Sequence, residues 1–139
     1  MGETPMRVHG GCHCGAIRFE ADVDPDGASI CHCTDCQALS ATAFRVNVPA
    51  KADGFRLLQG QPKEYVKFGE SGRGRAQAFC GECGSQLFAA DADGPREVYM
   101  LRVGVIEERA HLAPQRQIWR RSALPWLGDR PDLPARQQG

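Results

Sequence analysis

Apolar and polar residues alternate along most of this chain in short runs. Ile17, Phe19 and Ala21 fall on one side of residues 16–22, with Arg18 and Glu20 on the other. Phe44, Val46 and Val48 alternate in the same way with Arg45 and Asn47. A period of two predicts half-buried strands, the charged positions facing water. Further strands are predicted at 7–9, 55–58, 64–68, 74–79, 86–90 and 116–119. The most apolar strand is predicted at 98–105. Turn signals separate them: Asp24-Pro25-Asp26-Gly27, Gly60-Gln61-Pro62, Gly69-Glu70-Ser71-Gly72 and Asp91 to Pro95. Pro49 is read as the stop of the strand before it. One helical segment breaks the pattern, Thr34 to Ser40. Thr34 is expected as its N-cap, with Gln37 completing a capping box. Residues 124–139 carry Pro125, Pro131 and Pro134 and are expected to wrap the surface or fray. The pattern predicts a mainly β domain of short antiparallel strands, without repeats or an internal boundary.

The chain has 139 residues, about one domain. Lys plus Arg and Asp plus Glu are 17 each, so the formal charge is zero. That argues against a dedicated nucleic-acid binder, which carries a basic excess. Arg116, Arg120 and Arg121 form the one basic cluster. No apolar run is long enough to span a bilayer, and residues 1–7 lack the apolar core of a secretion signal. The expected location is the cytoplasm.

Seven cysteines then change the picture. They fall in three clusters: Cys12 with Cys14, Cys31 with Cys33 and Cys36, and Cys80 with Cys83. An odd count without a secretion signal argues against disulfides. Close Cys-x-Cys pairs are also poorly placed to bridge each other. Metal binding explains three clusters better than buried free thiols do. A closed structural zinc wants four thiolates; a catalytic one keeps a position open. Seven divides as four plus three. The triple is self-contained, so the two outer pairs are expected to share the other ion. A single four-cysteine site with three spare thiols is the competing division, and an iron–sulfur cluster the competing cargo.

Glycines flank the outer pairs and can turn the backbone so that amides point at sulfur. Cys36, in the first helical turn, is expected to favour its thiolate. His13 is expected to face solvent; His32, which adjoins the triple, is read either as a ligand or proton shuttle or as likewise facing solvent. Asp35 reads as a first-turn acid. Arg45, Arg73 and Arg75 are candidates to hold substrate carboxylates. Trp119 and Trp126 are expected in the core.

Three stretches together carry a resemblance: Gly11-Cys12-His13-Cys14-Gly15-Ala16-Ile17-Arg18-Phe19, Cys31-His32-Cys33-Thr34-Asp35-Cys36, and Phe79-Cys80-Gly81-Glu82-Cys83-Gly84-Ser85. In this order they resemble the glutathione-dependent formaldehyde-activating enzyme family, the CENP-V/GFA domain, over residues 6–135. The late Ile118-Trp119 and Pro125-Trp126 also look like that family. The resemblance implies a zinc-stapled β-tent. It implies Cys12, Cys14, Cys80 and Cys83 as ligands of a structural zinc, and Cys31, Cys33 and Cys36 as ligands of a reactive one. The implied activity is a carbon–sulfur lyase type, joining glutathione to formaldehyde. Family members often have His where this chain has Gln117. Two other functions compete: a non-catalytic zinc module that binds a macromolecule, and a thiol redox sensor built on residues 31–36. The partners expected are a small thiol and a small electrophile, with no membrane.

Overall fold

The computed structural model describes residues 4–128 and 132–139. Among the described residues, ten strands and one α-helix follow in the order β1 (Met6–Gly11), β2 (Arg18–Val23), β3 (Ser29–Cys31), α1 (Thr34–Ser40), β4 (Arg45–Lys51), β5 (Phe55–Gln59), β6 (Lys63–Phe68), β7 (Gly74–Phe79), β8 (Gln86–Asp91), β9 (Val98–Arg102) and β10 (Arg116–Ile118). The domain is mainly β, as the alternation predicts. Among the described residues no helix is long and apolar enough to cross a membrane.

The strands form two sheets, one ordered β1-β2-β5 and one ordered β10-β3-β4-β9-β8-β7-β6. Val8, Phe19, Ala21 and Val23 of the small sheet are buried. The large sheet meets them with Val48, Leu101, Phe88 and Ala78, which are register partners across β4, β9, β8 and β7 and so share one face. Phe55 and Tyr99 stack at 4.3 Å in this layer, and Phe88 meets both edge-on. Burying Phe88, 4% exposed, stabilises by about 1.5–3 kcal/mol. Gly10 sits directly opposite Phe19, and a Cβ there would lie 2.2 Å from the ring, so only glycine leaves room for it.

Several local expectations are corrected. Pro49 does not stop β4, which runs on to Lys51. Pro49 lies past the end of β3, where β4 keeps β9 as its partner, so the missing N–H is tolerated. The apolar run 98–105 is a strand only to Arg102, and Val103–Val105 closes as a 3-10 turn. One pairing is parallel, β10 with β3; the other strand pairings are antiparallel. Trp119 and Trp126 are 49% and 58% exposed and belong to no core. Trp119 carries the left-handed backbone φ of 57° that turns the chain out of β10. In the tail, Pro125 and Pro134 lie in irregular segments, and Pro131 lies outside the described residues.

Candidate functional site

The outer cysteine pairs form two matching turns. Gly15 N–H donates to the Cys12 carbonyl at 3.1 Å, and Gly84 N–H to the Cys80 carbonyl at 2.8 Å. Both glycines take positive φ, +85° and +81°, where other residues are strained. The chain then returns, with Cys12 N–H on the Ile17 carbonyl and Cys80 N–H on the Ser85 carbonyl. His13 N–H donates to Ser85 Oγ at 3.0 Å and ties one turn to the other. The His13 side chain is exposed, as expected. The four Sγ atoms all lie within 4.8 Å of one another.

Chemistry fits these distances to a metal. A tetrahedral zinc with Zn–S near 2.3 Å spaces its sulfurs about 3.8 Å apart. Cys12 and Cys14 are 3.6 Å apart, and Cys14 and Cys80 3.8 Å. Backbone amides favour thiolate here: Ile17 N–H reaches Cys12 Sγ at 3.2 Å and Glu82 N–H reaches Cys80 Sγ at 3.3 Å. The Ser85 hydroxyl and amide hold Cys83 down to about 5. The Ala16 amide favours the Cys14 thiolate as well, yet the adjoining Cys12 and Cys83 sulfurs outweigh it and push Cys14 up to about 12. Four crowded sulfurs cannot all ionise without a cation among them.

The central triple behaves likewise. Cys31, Cys33 and Cys36 bring their Sγ atoms within 4.8 Å of one another. Cys31 comes from the end of β3, and the other two from the start of α1. The cap of α1 corrects the sequence reading. Cys33, not Thr34, is the N-cap, and its sulfur accepts from Cys36 N–H at 3.2 Å. Gln37 closes no capping box; its Nε2 donates to the carbonyls of His32 and Ser122. The lowered thiol is therefore Cys33, where the Cys36 amide and thiol outweigh burial. Burial and Cys31 instead push Cys36 up to about 12.

His32 does not join the triple. It is 1% exposed, and its Nε2 lies 2.8 Å from Gln117 Oε1, while Nδ1 has no partner. The ring turns away, against Phe44 at 5.8 Å. Asp35 lies in the first turn of α1, as expected, and pairs with Lys67 of β6.

The three thiols open on a cavity of about 280 Å³. Its floor is the second face of the large sheet. Cys31 is the register partner of Arg45, Asn47 of Arg102, Met100 of Ala89, and Ala89 of Gln77. These residues all line the cavity, with α1 as its wall. Arg45, Asn47, Gln77 and Arg102 are 5–7% exposed, although alternation assigns Arg45 and Asn47 to solvent. Gln77 Oε1 accepts from Arg45 Nη1 at 3.2 Å and Arg102 Nη2 at 2.7 Å, and Asn47 Oδ1 accepts from Arg102 Nη1 at 2.6 Å. Burial and then Arg45 bring Arg102 down to about 9, still cationic at neutral pH. Of the arginines singled out in the sequence, Arg45 and Arg75 line the cavity. Arg73 is exposed and pairs with Asp91. Asn47, Gln77 and Arg102 are additions; their signal is a polar residue inside an apolar strand.

The sequence profile described as glutathione-dependent formaldehyde-activating enzyme matches residues 7–122. The crystal structure of a Rhodobacter sphaeroides protein is similar at 23% identity, covering 78% of this chain and 98% of that one, with a TM-score of 0.61. That likeness speaks to the fold.

Proposed function

We propose, because the chain belongs to the glutathione-dependent formaldehyde-activating enzyme family, that it is a zinc-dependent carbon–sulfur lyase-type enzyme. Its substrates are adducts of glutathione, or another small thiol, with formaldehyde or a related small electrophile. One observation carries the reading. Three thiols, and not four, converge at a cavity, whereas the other cluster is a closed set of four. Cys12, Cys14, Cys80 and Cys83 would hold a structural zinc, and Cys31, Cys33 and Cys36 a reactive one. An ion held by three thiolates supplies a soft Lewis acid with a position left for an incoming thiol.

The chain's own residues prepare the rest. Cys36 N–H holds the Cys33 sulfur in place, and the hydrogen-bonded Gln37 side chain fixes the loop around His32. The buried guanidiniums of Arg45 and Arg102 set a positive field over the cavity, which favours the thiolate form of a substrate and the oxyanion formed at an attacked carbonyl. The working unit we propose is residues 6–135, acting in the cytoplasm.

The test is exchange NMR on zinc-replete protein with glutathione and formaldehyde. Faster adduct exchange than in buffer is expected, and Cys36→Ala should abolish the excess. An exchange rate equal to the protein-free rate would refute the enzymatic reading.

A further inference from the structure

The cavity floor holds two guanidiniums, Arg45 and Arg102, that form no ion pair with a carboxylate among the described residues. Arg75 and Arg73 share Asp91, and Lys67 pairs with Asp35. Arg45 and Arg102 have only the neutral oxygens of Gln77 and Asn47 as side-chain partners among the described residues. Three of their N–H-bearing nitrogens, Arg45 Nε and Nη2 and Arg102 Nε, have no partner at all. A buried charged donor left unmet is costly, and such sites await an anion. These unmet guanidinium donors suit the two acceptor oxygens of a carboxylate.

Two features say which substrate brings it. Arg45, Arg102 and the three cysteines line one cavity. The cavity, about 280 Å³, lies at the small end of ligand sites. A carboxylate on the floor thus belongs to a small molecule whose reacting carbon is next to its acid group. Glutathione bears its carboxylates several bonds from sulfur, and so fits the floor less well while its sulfur meets the triple.

We propose that Arg45 and Arg102 form a carboxylate-binding floor beside Cys31, Cys33 and Cys36, and that the preferred electrophile is a carboxylate-bearing aldehyde, a 2-oxo acid of the glyoxylate type. This rests on the thiol–aldehyde reading above. The reaction balances without an oxidant or reductant. The thiol loses its proton, a carbon–sulfur bond forms at the aldehyde carbon, and the carbonyl oxygen takes up a proton to give a carboxylate-bearing hemithioacetal.

The test measures adduct exchange by NMR on the zinc-loaded full chain, with glutathione fixed and glyoxylate compared with acetaldehyde. The expected kcat/KM preference for glyoxylate is roughly ten- to a hundredfold, the worth of a charge-assisted hydrogen bond. In Arg45→Met and Arg102→Met this ratio should collapse toward one. A second measurement needs no variant: the Nε–H resonances of Arg45 and Arg102 should shift saturably with acetate and not with acetamide. Equal rates for both aldehydes, with no acetate response, overturn the proposal and leave the thiol–aldehyde reading standing. An acetate response without any catalysed exchange sinks that reading, and with it the aldehyde assignment. A preference for 3-mercaptopropionate over 2-mercaptoethanol, with no discrimination between aldehydes, moves the carboxylate to the thiol and also overturns the assignment.

Discussion

Cys80→Ala is expected to remove a large part of the domain's stability. Cys80 is 1% exposed, and its sulfur lies 3.8 Å from that of Cys14, 66 positions earlier. A metal shared by these cysteines therefore closes a long loop and clips the β1–β2 sheet to the β7–β8 hairpin. A cross-link of that span restrains the unfolded chain by about 4 kcal/mol. Domains of this size are stable by roughly 5–15 kcal/mol, so the loss is about a quarter or more of the total. At about 2–4 °C per kcal/mol the melting temperature should fall on the order of 10 °C. Circular dichroism melts of zinc-replete parent and variant make the comparison, each repeated with a chelator. The chelator should lower the parent strongly and the variant much less. Cys36→Ala serves as the contrast: it sits in a cluster spanning residues 31–36 and ties no distant segments, so its melt should move only slightly while elemental analysis drops from two zinc ions to one. A Cys80→Ala melt within a few degrees of the parent would refute the pairing of the outer clusters.

Gln117→Ala should cost about 1–3 kcal/mol in urea unfolding, because it leaves the buried His32 ring with no partner at either nitrogen; an unchanged midpoint would show that the 2.8 Å contact contributes nothing. His9 should titrate above 6.5 in an NMR pH series, since its hydrogen bond to Glu108, at 2.7 Å, outweighs its desolvation, and Glu108→Gln should return it toward 6.5. Because the folded value is the raised one, this contact's stabilisation is complete below pH 6.5 and fades as pH rises through the folded value, so stability that grows over that range would contradict it.

Much of the fold is legible in the sequence because its cause is local. Alternation marks β2 and β4, the turn at Asp24-Pro25-Asp26-Gly27 ends β2, and Thr34–Ser40 stands out as helical. The four-plus-three grouping of the cysteines is legible too, since ligand number constrains which sulfurs meet, and the geometry brings together the sets that counting selects. The cavity floor is not. Alternation shows that Arg45 and Asn47 oppose Val46 and Val48, but not that the polar side is also covered. That depends on α1 folding back over β4 and on Gln77 and Arg102 arriving from strands far along the chain. The N-cap differs from the expected Thr34 for a chemical reason. Sulfur at Cys33 competes for the Cys36 amide, and propensity rules favour the hydroxyl of Thr34 instead.

On the proposed assignment, the two cysteine clusters also divide stability from chemistry. A sheet face bearing Arg45 and Arg102 is a poor way to build a core, because desolvating two like charges side by side works against folding. Apolar residues at those positions would pack at lower cost. The domain is small and has limited apolar burial with which to offset such a site. The four-cysteine clip follows β1 and β7 and uses none of the cavity's polar side chains. A closed staple thus allows the same sheet to be apolar on the face toward β1-β2-β5 and charged on the face toward Cys31, Cys33 and Cys36. On this view the clip is a condition for the reactive cavity rather than a second reactive centre, and the short β3 and α1 can present three sulfurs without also holding the domain together.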